Sequence, residues 1–208
     1  MSDEGTDDKN VPVEGVDERK RKFLTVATTF VGVAGAGLMT VPLVESMEPD
    51  ASVKAASTTT VDISRIGAGE QAVIKWQDKP VFIVNRTPEM LATLKDVTPK
   101  LRDPNNDQPQ QPPFANNIYR SRKPEWLVMV GVCTHLCCSP TFKPKKGAVN
   151  PQWLGGYHCS CHGSFYDLSG RVFKNVPAPL NMAIPEYTFI DNDTKVKITS
   201  LYPKSQLC

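Results

Sequence analysis

One uncharged apolar run dominates the amino-terminal quarter of the chain. From Phe23 to Val44 the sequence FLTVATTFVGVAGAGLMTVPLV runs for 22 residues without a charge, between the basic run Arg19-Lys20-Arg21-Lys22 and Glu45. As an α-helix rising ~1.5 Å per residue it reaches about 33 Å, enough to cross the hydrocarbon core of a bilayer. Gly32, Gly35, Ala36 and Gly37 flatten one face of that helix and favour close packing on another membrane helix. A cleaved signal peptide is the alternative, with the small residues of Lys54-Ala55-Ala56-Ser57 as a cleavage site, but its apolar core would run only ~7–15 residues.

Beyond the run the pattern changes twice. Residues 46–60, SMEPDASVKAASTTT, are small and polar without apolar periodicity and predict a flexible tether. From Val61 short apolar runs alternate with turn residues: Ala72–Trp76, Pro80–Val84, Glu125–Val130, Tyr187–Ile190 and Val196–Ile198. These predict strands at irregular spacing, hence an antiparallel β body. Only Thr87–Lys95 is patterned as a helix, with Thr87 as N-cap, Pro88 at the first position and Glu89 in the first turn. The stretch 99–117, rich in Pro, Gln and Asn, predicts a surface loop. There is no internal repeat and no nucleotide-binding glycine loop.

Composition narrows the class. A chain of 208 residues with 40% hydrophobic and 22% charged residues has the apolar content for a core, which excludes a fully disordered protein, and it lacks the several long runs of a polytopic membrane protein. The basic run ahead of the helix predicts a cytoplasmic amino terminus and an exported body. From Ser46 onward 19 basic residues face 14 acidic ones, so 19 − 14 leaves that body at +5. Arg19–Leu24 resembles a twin-arginine export signal, with Lys20-Arg21 where two arginines are usual. That route suits a protein which acquires its cofactor in the cytoplasm and crosses the membrane folded. The acidic start, with Asp3, Glu4, Asp7 and Asp8, argues against a mitochondrial transit peptide and for a bacterial inner membrane.

The chemistry is concentrated in two boxes. Of six cysteines, five lie between Cys133 and Cys161, together with all three histidines. The first box is Cys133-Thr134-His135-Leu136-Cys137-Cys138-Ser139-Pro140, the second Cys159-Ser160-Cys161-His162-Gly163-Ser164-Phe165-Tyr166-Asp167. Each supplies one Cys and one His, as Cys-x-His and Cys-x-x-His. Two thiolates and two imidazoles form a four-ligand set suited to a tetrahedral zinc or to an iron pair, and spacing alone does not choose between them.

Both boxes resemble the cluster-binding loops of Rieske iron–sulfur proteins, in which two histidines replace two cysteines on one iron of a [2Fe–2S] cluster. Each ligand pair is accompanied by a further cysteine, Cys138 or Cys161, as in the quinol-oxidising branch, where the two extra cysteines form a disulfide. With the anchor, the tether and Val176-Pro177-Ala178-Pro179, the chain resembles the Rieske subunits of cytochrome bc1 complexes from about Arg19 onward. The resemblance implies an all-β Rieske fold: an antiparallel base domain plus a small cluster-binding subdomain near residues 124–182, with one amino-terminal transmembrane helix. The implied segments are a cytoplasmic 1–22, an anchor 23–44, a neck 45–60 and a periplasmic head 61–208.

The resemblance also implies roles. Cys133 and Cys159 would bind one iron of a single [2Fe–2S] cluster, and His135 and His162 the other. Ser164 and Tyr166 match hydroxyls that donate to a bridging sulfide and to a ligand cysteine sulfur and so raise the potential. The histidines would bind through Nδ1 and leave Nε2 at the tip, where His162 first, and His135 second, would meet ubiquinol and take its proton. Leu136 would pack against the quinol pocket. The electron would pass to cytochrome c1 after collection at cytochrome b, in a dimeric, membrane-embedded ubiquinol–cytochrome c oxidoreductase that translocates protons, and the neck would have to move. No nucleic acid is implied.

Several positions depart from the family pattern. Cys137 stands where the family has glycine, so its backbone is expected at positive φ, and its thiol rivals Cys138 for Cys161. Family position assigns the bond to Cys138, which makes Cys137 a spare thiol and Cys208 an exposed or locally packed one. Val176 replaces a glycine of the family's Gly-Pro-Ala-Pro loop and leaves that turn's geometry open. His158 is read as a surface or packing histidine, Trp76, Trp126 and Trp153 as packing residues, and Lys143, Lys145 and Lys146 as a solvated loop. Two other readings share the ligands: a zinc-binding structural module, which has no need of Cys138, Cys161, Ser164 and Tyr166, and a Rieske subunit of another exported oxidoreductase, such as an arsenite oxidase. A cytosolic Rieske ferredoxin or oxygenase domain would lack the anchor and the disulfide.

Overall fold

The computed structural model of the chain describes residues 15, 17–47 and 57–207. The acidic start, residues 48–56 of the expected neck with the Lys54-Ala55-Ala56 site, and Cys208 lie outside the described residues. The chain divides into two units, residues 1–51 and 52–208.

In the first unit, helix α1 spans Glu18–Ser46, capped by the Asp17 carboxylate, which accepts from the Arg19 N–H at 3.0 Å. It therefore takes in the basic run and the first two neck residues as well as the apolar segment. Its mean hydropathy reaches 1.7 over 18 residues and none of that window is buried against the described residues. A helix suits a bilayer because it satisfies its own backbone. Four threonines extend that economy: the hydroxyls of Thr25, Thr28, Thr29 and Thr40 each donate to the carbonyl four residues earlier, at 2.6–2.8 Å.

The described residues of the second unit form three antiparallel three-stranded sheets. One joins β1 (Thr59–Asp62), β9 (Lys195–Ser200) and β8 (Glu186–Ile190) in that order. The next joins β2 (Gln71–Trp76), β3 (Lys79–Asn85) and β4 (Trp126–Val130). The third joins β5 (Thr141–Lys143), β6 (Gly156–Cys159) and β7 (Ser164–Tyr166), and falls inside residues 124–182. Gln77 and Asp78, both at positive φ, form the two-residue turn between β2 and β3. Central β3 buries Val81, Phe82, Ile83 and Val84 in succession, as a strand covered on both faces does. Phe82 stacks on Tyr157 of β6 at 5.6 Å, which ties the second sheet to the third.

Strand β1 corrects the tether: Thr59 and Thr60 pair with Ile198 and Lys197, and Trp76 Nε1 donates to the Ser57 carbonyl at 2.7 Å. β-Branched threonines suit a strand once a partner edge is present, a circumstance that composition does not record. Helix α2 spans Pro88–Val97, with the Thr87 hydroxyl accepting from the Met90 N–H. The expected surface loop at 99–117 is also corrected. Asp103, Asn106, Gln110, Gln111 and Ala115 are buried, because their polar groups find partners inside: Gln110 Nε2 donates to the carbonyls of Asn181 and Gln206, and Asn181 Nδ2 to the Asp103 carbonyl.

Candidate metal centre

The two boxes are brought together as two loops at one end of the third sheet. The first leaves β4 through Gly131 and Val132 and reaches β5; the second is the hairpin loop between β6 and β7. Cys159 ends β6 and Ser164 begins β7, directly paired across the ladder. The close approach of the strands depends on Gly156, at φ 150°, where any Cβ would collide with the Tyr166 carbonyl. Each loop is closed on itself: the Cys133 N–H donates to the Cys138 carbonyl at 2.8 Å, the Cys137 N–H to Cys133 at 3.1 Å, and the Gly163 N–H to Cys159 at 2.9 Å. Cys137 sits at φ 62°, the left-handed backbone expected from its place in the glycine position. A disulfide between Cys138 and Cys161 joins the two loops.

The remaining ligand candidates converge beneath that bridge. Cys133 and Cys159 are free thiols, 1% and 2% exposed. Burial pushes the Cys159 thiol up, its contact with Cys133 adds to the rise, and the N–H groups of Cys161 and His162 pull against it by donating to its sulfur. The His135 and His162 rings lie 4.7 Å apart, edge to face. His135 is half-buried with its Nδ1 enclosed and without a hydrogen-bond partner, while His162 is exposed. An enclosed imidazole nitrogen without a partner, two adjacent buried thiols and a second imidazole fit a metal cluster and fit little else, since a buried polar atom is costly when unpaired. The sulfurs of Cys138, Cys159 and Cys161 also lie within 4.8 Å of one another, but two of these are bonded to each other and only Cys159 can ligate.

A second ring of contacts orients the sulfurs. The Tyr166 hydroxyl accepts from the Thr134 N–H at 3.1 Å and donates to Cys133 Sγ at 3.2 Å. Burial pushes the Tyr166 phenol upward, so it remains a proton donor. The Ser164 hydroxyl, fully buried, accepts from the Ala178 N–H at 3.1 Å, and Thr134 Oγ1 donates to the Leu180 carbonyl at 2.8 Å. The Pro-Ala-Pro loop is thereby fastened to both boxes. Its positive φ falls at Asn175, not at Val176, so valine there carries no backbone strain.

Beneath β7 the turn Asp167–Arg171 is held by three buried guanidinium groups. Asp167 takes hydrogen bonds from the N–H groups of Ser169 and Arg171 and an ion pair from Arg171 at 2.8 Å. Arg86 donates to Ser169 Oγ and the Leu168 carbonyl, Arg120 to the carbonyls of Ser169 and Gly170. Burial lowers the pKa of both Arg86 and Arg120. Sequence reasoning passed over Thr134 and this arginine set. Thr134 lies within the first box, where its hydroxyl was a signal; the arginines, scattered from 86 to 171, left none.

Comparison with known proteins agrees with this construction. Residues 104–188 match the family described as Rieske [2Fe-2S] domain, and residues 12–50 the family described as ubiquitinol-cytochrome C reductase Fe-S subunit TAT signal. The ubiquinol-cytochrome c reductase iron-sulfur subunit of Allochromatium vinosum is 49% identical over 188 residues, covering 89% of this chain and 90% of that protein. This chain belongs to the Rieske iron–sulfur subunits of ubiquinol–cytochrome c reductases. Subunits of the same name from Rickettsia felis and Rhodospirillum rubrum are 42% and 40% identical, each covering 86% of this chain and 92% of its relative. The Rieske assignment sets the cofactor as a [2Fe–2S] cluster, and α1 with the matched signal segment marks a single-pass anchor on an exported protein.

Other expectations about this Rieske chain meet the structure directly. Leu136 projects from the tip, 62% exposed between His135 and Cys137. His158 is half-buried and stacks on Phe165 at 4.9 Å, a packing role. Trp76 and Trp153 are buried, Trp126 half-buried, and Lys143, Lys145 and Lys146 are exposed. One reading is overturned: Cys137 is not a spare thiol but is itself disulfide-bonded.

Proposed function

We propose that this chain collects one electron and one proton from ubiquinol at cytochrome b and passes the electron to cytochrome c1, as a subunit of a proton-translocating, dimeric bc1 complex in a bacterial inner membrane. The carrying observation is the pairing of an enclosed His135 Nδ1 with an exposed His162 over two buried free thiols. Cys133 and Cys159 would hold one iron and His135 and His162 the other. When bound, the cluster supplies a one-electron acceptor in the range of roughly −150 to +300 mV.

The chain's own residues do the rest. Tyr166 places its hydroxyl against Cys133 Sγ, and the Ser164 hydroxyl, which accepts from the Ala178 N–H, would have its proton free for a bridging sulfide; a hydrogen bond to sulfur draws off charge and favours the reduced form. The Cys138–Cys161 bridge ties the two ligand loops to each other, and the Thr134–Leu180 contact ties the first to the end of the Pro-Ala-Pro loop. His162 Nε2 accepts the quinol hydroxyl and takes its proton. Leu136, exposed beside the imidazoles, supplies the apolar contact for quinol and its pocket. The basic run in the first turns of α1 keeps the amino terminus cytoplasmic and sends the head to the periplasm, with lipid around the apolar part of α1.

Low-temperature EPR of ascorbate-reduced membranes, with and without a quinol-site inhibitor, tests the proposal. A Rieske signal whose shape changes with the inhibitor is expected. A Rieske signal indifferent to it moves the chain to another exported oxidoreductase, and bound zinc without a signal removes the redox role.

A further inference from the structure

We infer that the face of the third sheet turned away from Tyr166 is a docking surface for an acidic segment of a partner protein, centred on a cleft that takes one aromatic side chain. The cleft, of about 220 Å³, is lined by Lys100, Asn150, Gln152, Trp153, Phe165 and Phe173. It lies apart from the tip, since none of His135, Leu136 and His162 lines it. Strand alternation separates the two. In β7, Tyr166 turns its hydroxyl to Cys133 Sγ and buried Ser164 shares that face, so half-buried Phe165 between them points the other way. The inference goes beyond the quinol reading and needs only the folded head.

Aromatic rings make the floor. Trp153 lies 5.7 Å from Phe165 and 6.2 Å from Phe173, and the half-buried His158 ring stacks on Phe165 at 4.9 Å. Trp153 is buried, with its Nε1 donating to the Lys143 carbonyl at 2.8 Å, whereas Phe165 and Phe173 are half-buried and leave ring surface to the cleft. Such a floor suits another aromatic side chain. The volume falls below the roughly 300–1,000 Å³ of pockets that enclose whole small molecules, and fits one side chain of a longer ligand.

Charge selects the rest of that ligand. From Trp126 to Pro185 the sequence holds one acidic residue, Asp167, and it is buried in its pair with Arg171. Exposed Lys143, Lys145, Lys146 and Lys174 belong to the same span. They stand on both flanks of the cleft. On one flank the loop that carries Lys143, Lys145 and Lys146 folds onto Trp153, whose carbonyl accepts from the Gly147 N–H at 2.8 Å. On the other, the bridge between Leu101 and Phe173 brings Lys174 beside exposed Lys100, the Lys174 N–H donating to the Lys100 carbonyl at 2.9 Å. Among the described residues no carboxylate pairs with any of these five lysines. An apolar centre within a rim of one sign is the anatomy of a protein interface, and this rim attracts carboxylates. A second copy of the same face would meet cations with cations, and a small anion in the cleft would meet only Lys100 among the five.

The test is photocrosslinking in intact cells that make the full-length chain. p-Benzoylphenylalanine is placed at Gln152, an exposed residue of the cleft wall, and in a second chain at Asn150 on the same rim; the adducts are sequenced by mass spectrometry and the cluster is counted by EPR. Both positions are expected to attach to one segment of another protein, in which an aromatic residue is flanked by carboxylates. Reversing Lys145→Glu together with Lys146→Glu should cut the adduct yield about tenfold, while the EPR spin content stays at its wild-type value. Lys197→Glu, on β9 in another sheet, should leave the yield unchanged. No adduct at either position would overturn the inference, as would adducts to lipid, to a second copy of this chain or to segments without carboxylates. A yield indifferent to the double reversal would overturn it too, and so would an equal loss in Lys197→Glu, since net charge and not this face would then be responsible.

Discussion

Tyr166 has one hydroxyl proton, and its surroundings decide where that proton points. The Tyr166 oxygen accepts from the Thr134 N–H at 3.1 Å; of the two acceptors within reach of its proton, Cys133 Sγ at 3.2 Å is nearer than Thr134 Oγ1 at 3.3 Å, which already accepts from the Leu180 N–H. Hydrogen bonds to charged groups contribute about 1.5–3 kcal/mol, and a tenfold shift in a one-electron couple corresponds to about 59 mV. Tyr166→Phe should therefore retain the cluster yet lower its midpoint potential by on the order of 50–100 mV, with Ser164→Ala moving it the same way; redox titrations that overlay wild type would refute this. The sequence offered both residues because they carry hydroxyls at family positions. It could not offer Thr134 as their organiser, since that role depends on Leu180 and Tyr166 arriving from 46 and 32 residues away.

At the scale of elements, the third sheet exists because two loops meet, and short strands of three or four residues leave little pattern to find. Sequence periodicity recovered β2, β3, β4, β8 and β9 and the capped helix α2, all of which carry apolar runs. It did not recover β5, β6 and β7, where residues such as Gly156, His158, Cys159 and Ser164 are chosen for the site and not for strand propensity. Two substitutions probe how this sheet is supported. Gly156→Ala should expel β6 from β7 through the collision with the Tyr166 carbonyl, and is expected to cut the cluster content measured by EPR spin quantitation. Asp167→Asn removes the carboxylate paired with Arg171 among the buried guanidinium groups of Arg86 and Arg120. Uncompensated buried charge then costs about 3–5 kcal/mol, to be seen as a lowered midpoint in guanidinium unfolding.

At the scale of the whole molecule, a collector and deliverer of electrons has to reach two partners from one anchor. Our reading assigns the reach to the polar segment between α1 and β1, where Ala55 and Ala56 stand. Replacing both with proline stiffens the backbone without touching the centre. Steady-state quinol oxidation should slow severalfold while the midpoint potential stays at its wild-type value; an unchanged rate would remove the neck from the mechanism. Export belongs to the same scale. Our reading has the cluster closed between its two loops before the chain crosses the membrane, and the match of residues 12–50 to a family described as a TAT signal supports a route for folded proteins.

The sequence by itself supplied the uncharged run of bilayer length and the two boxes of thiols and imidazoles, because these are matters of local composition, while the joining of the boxes by Cys138 and Cys161 was read from the family resemblance. It also placed a positive φ at Cys137. Tertiary structure alone decided that Asp103, Gln110 and Gln111 go inside, that Asn175 and not Val176 takes the left-handed turn, that Cys137 is bonded, and that the Asp167 turn is gripped by three distant arginines. Each of these depends on which partner a polar group meets across a long span of chain. A buried polar side chain is stable only where that partner stands, and no window of sequence contains both.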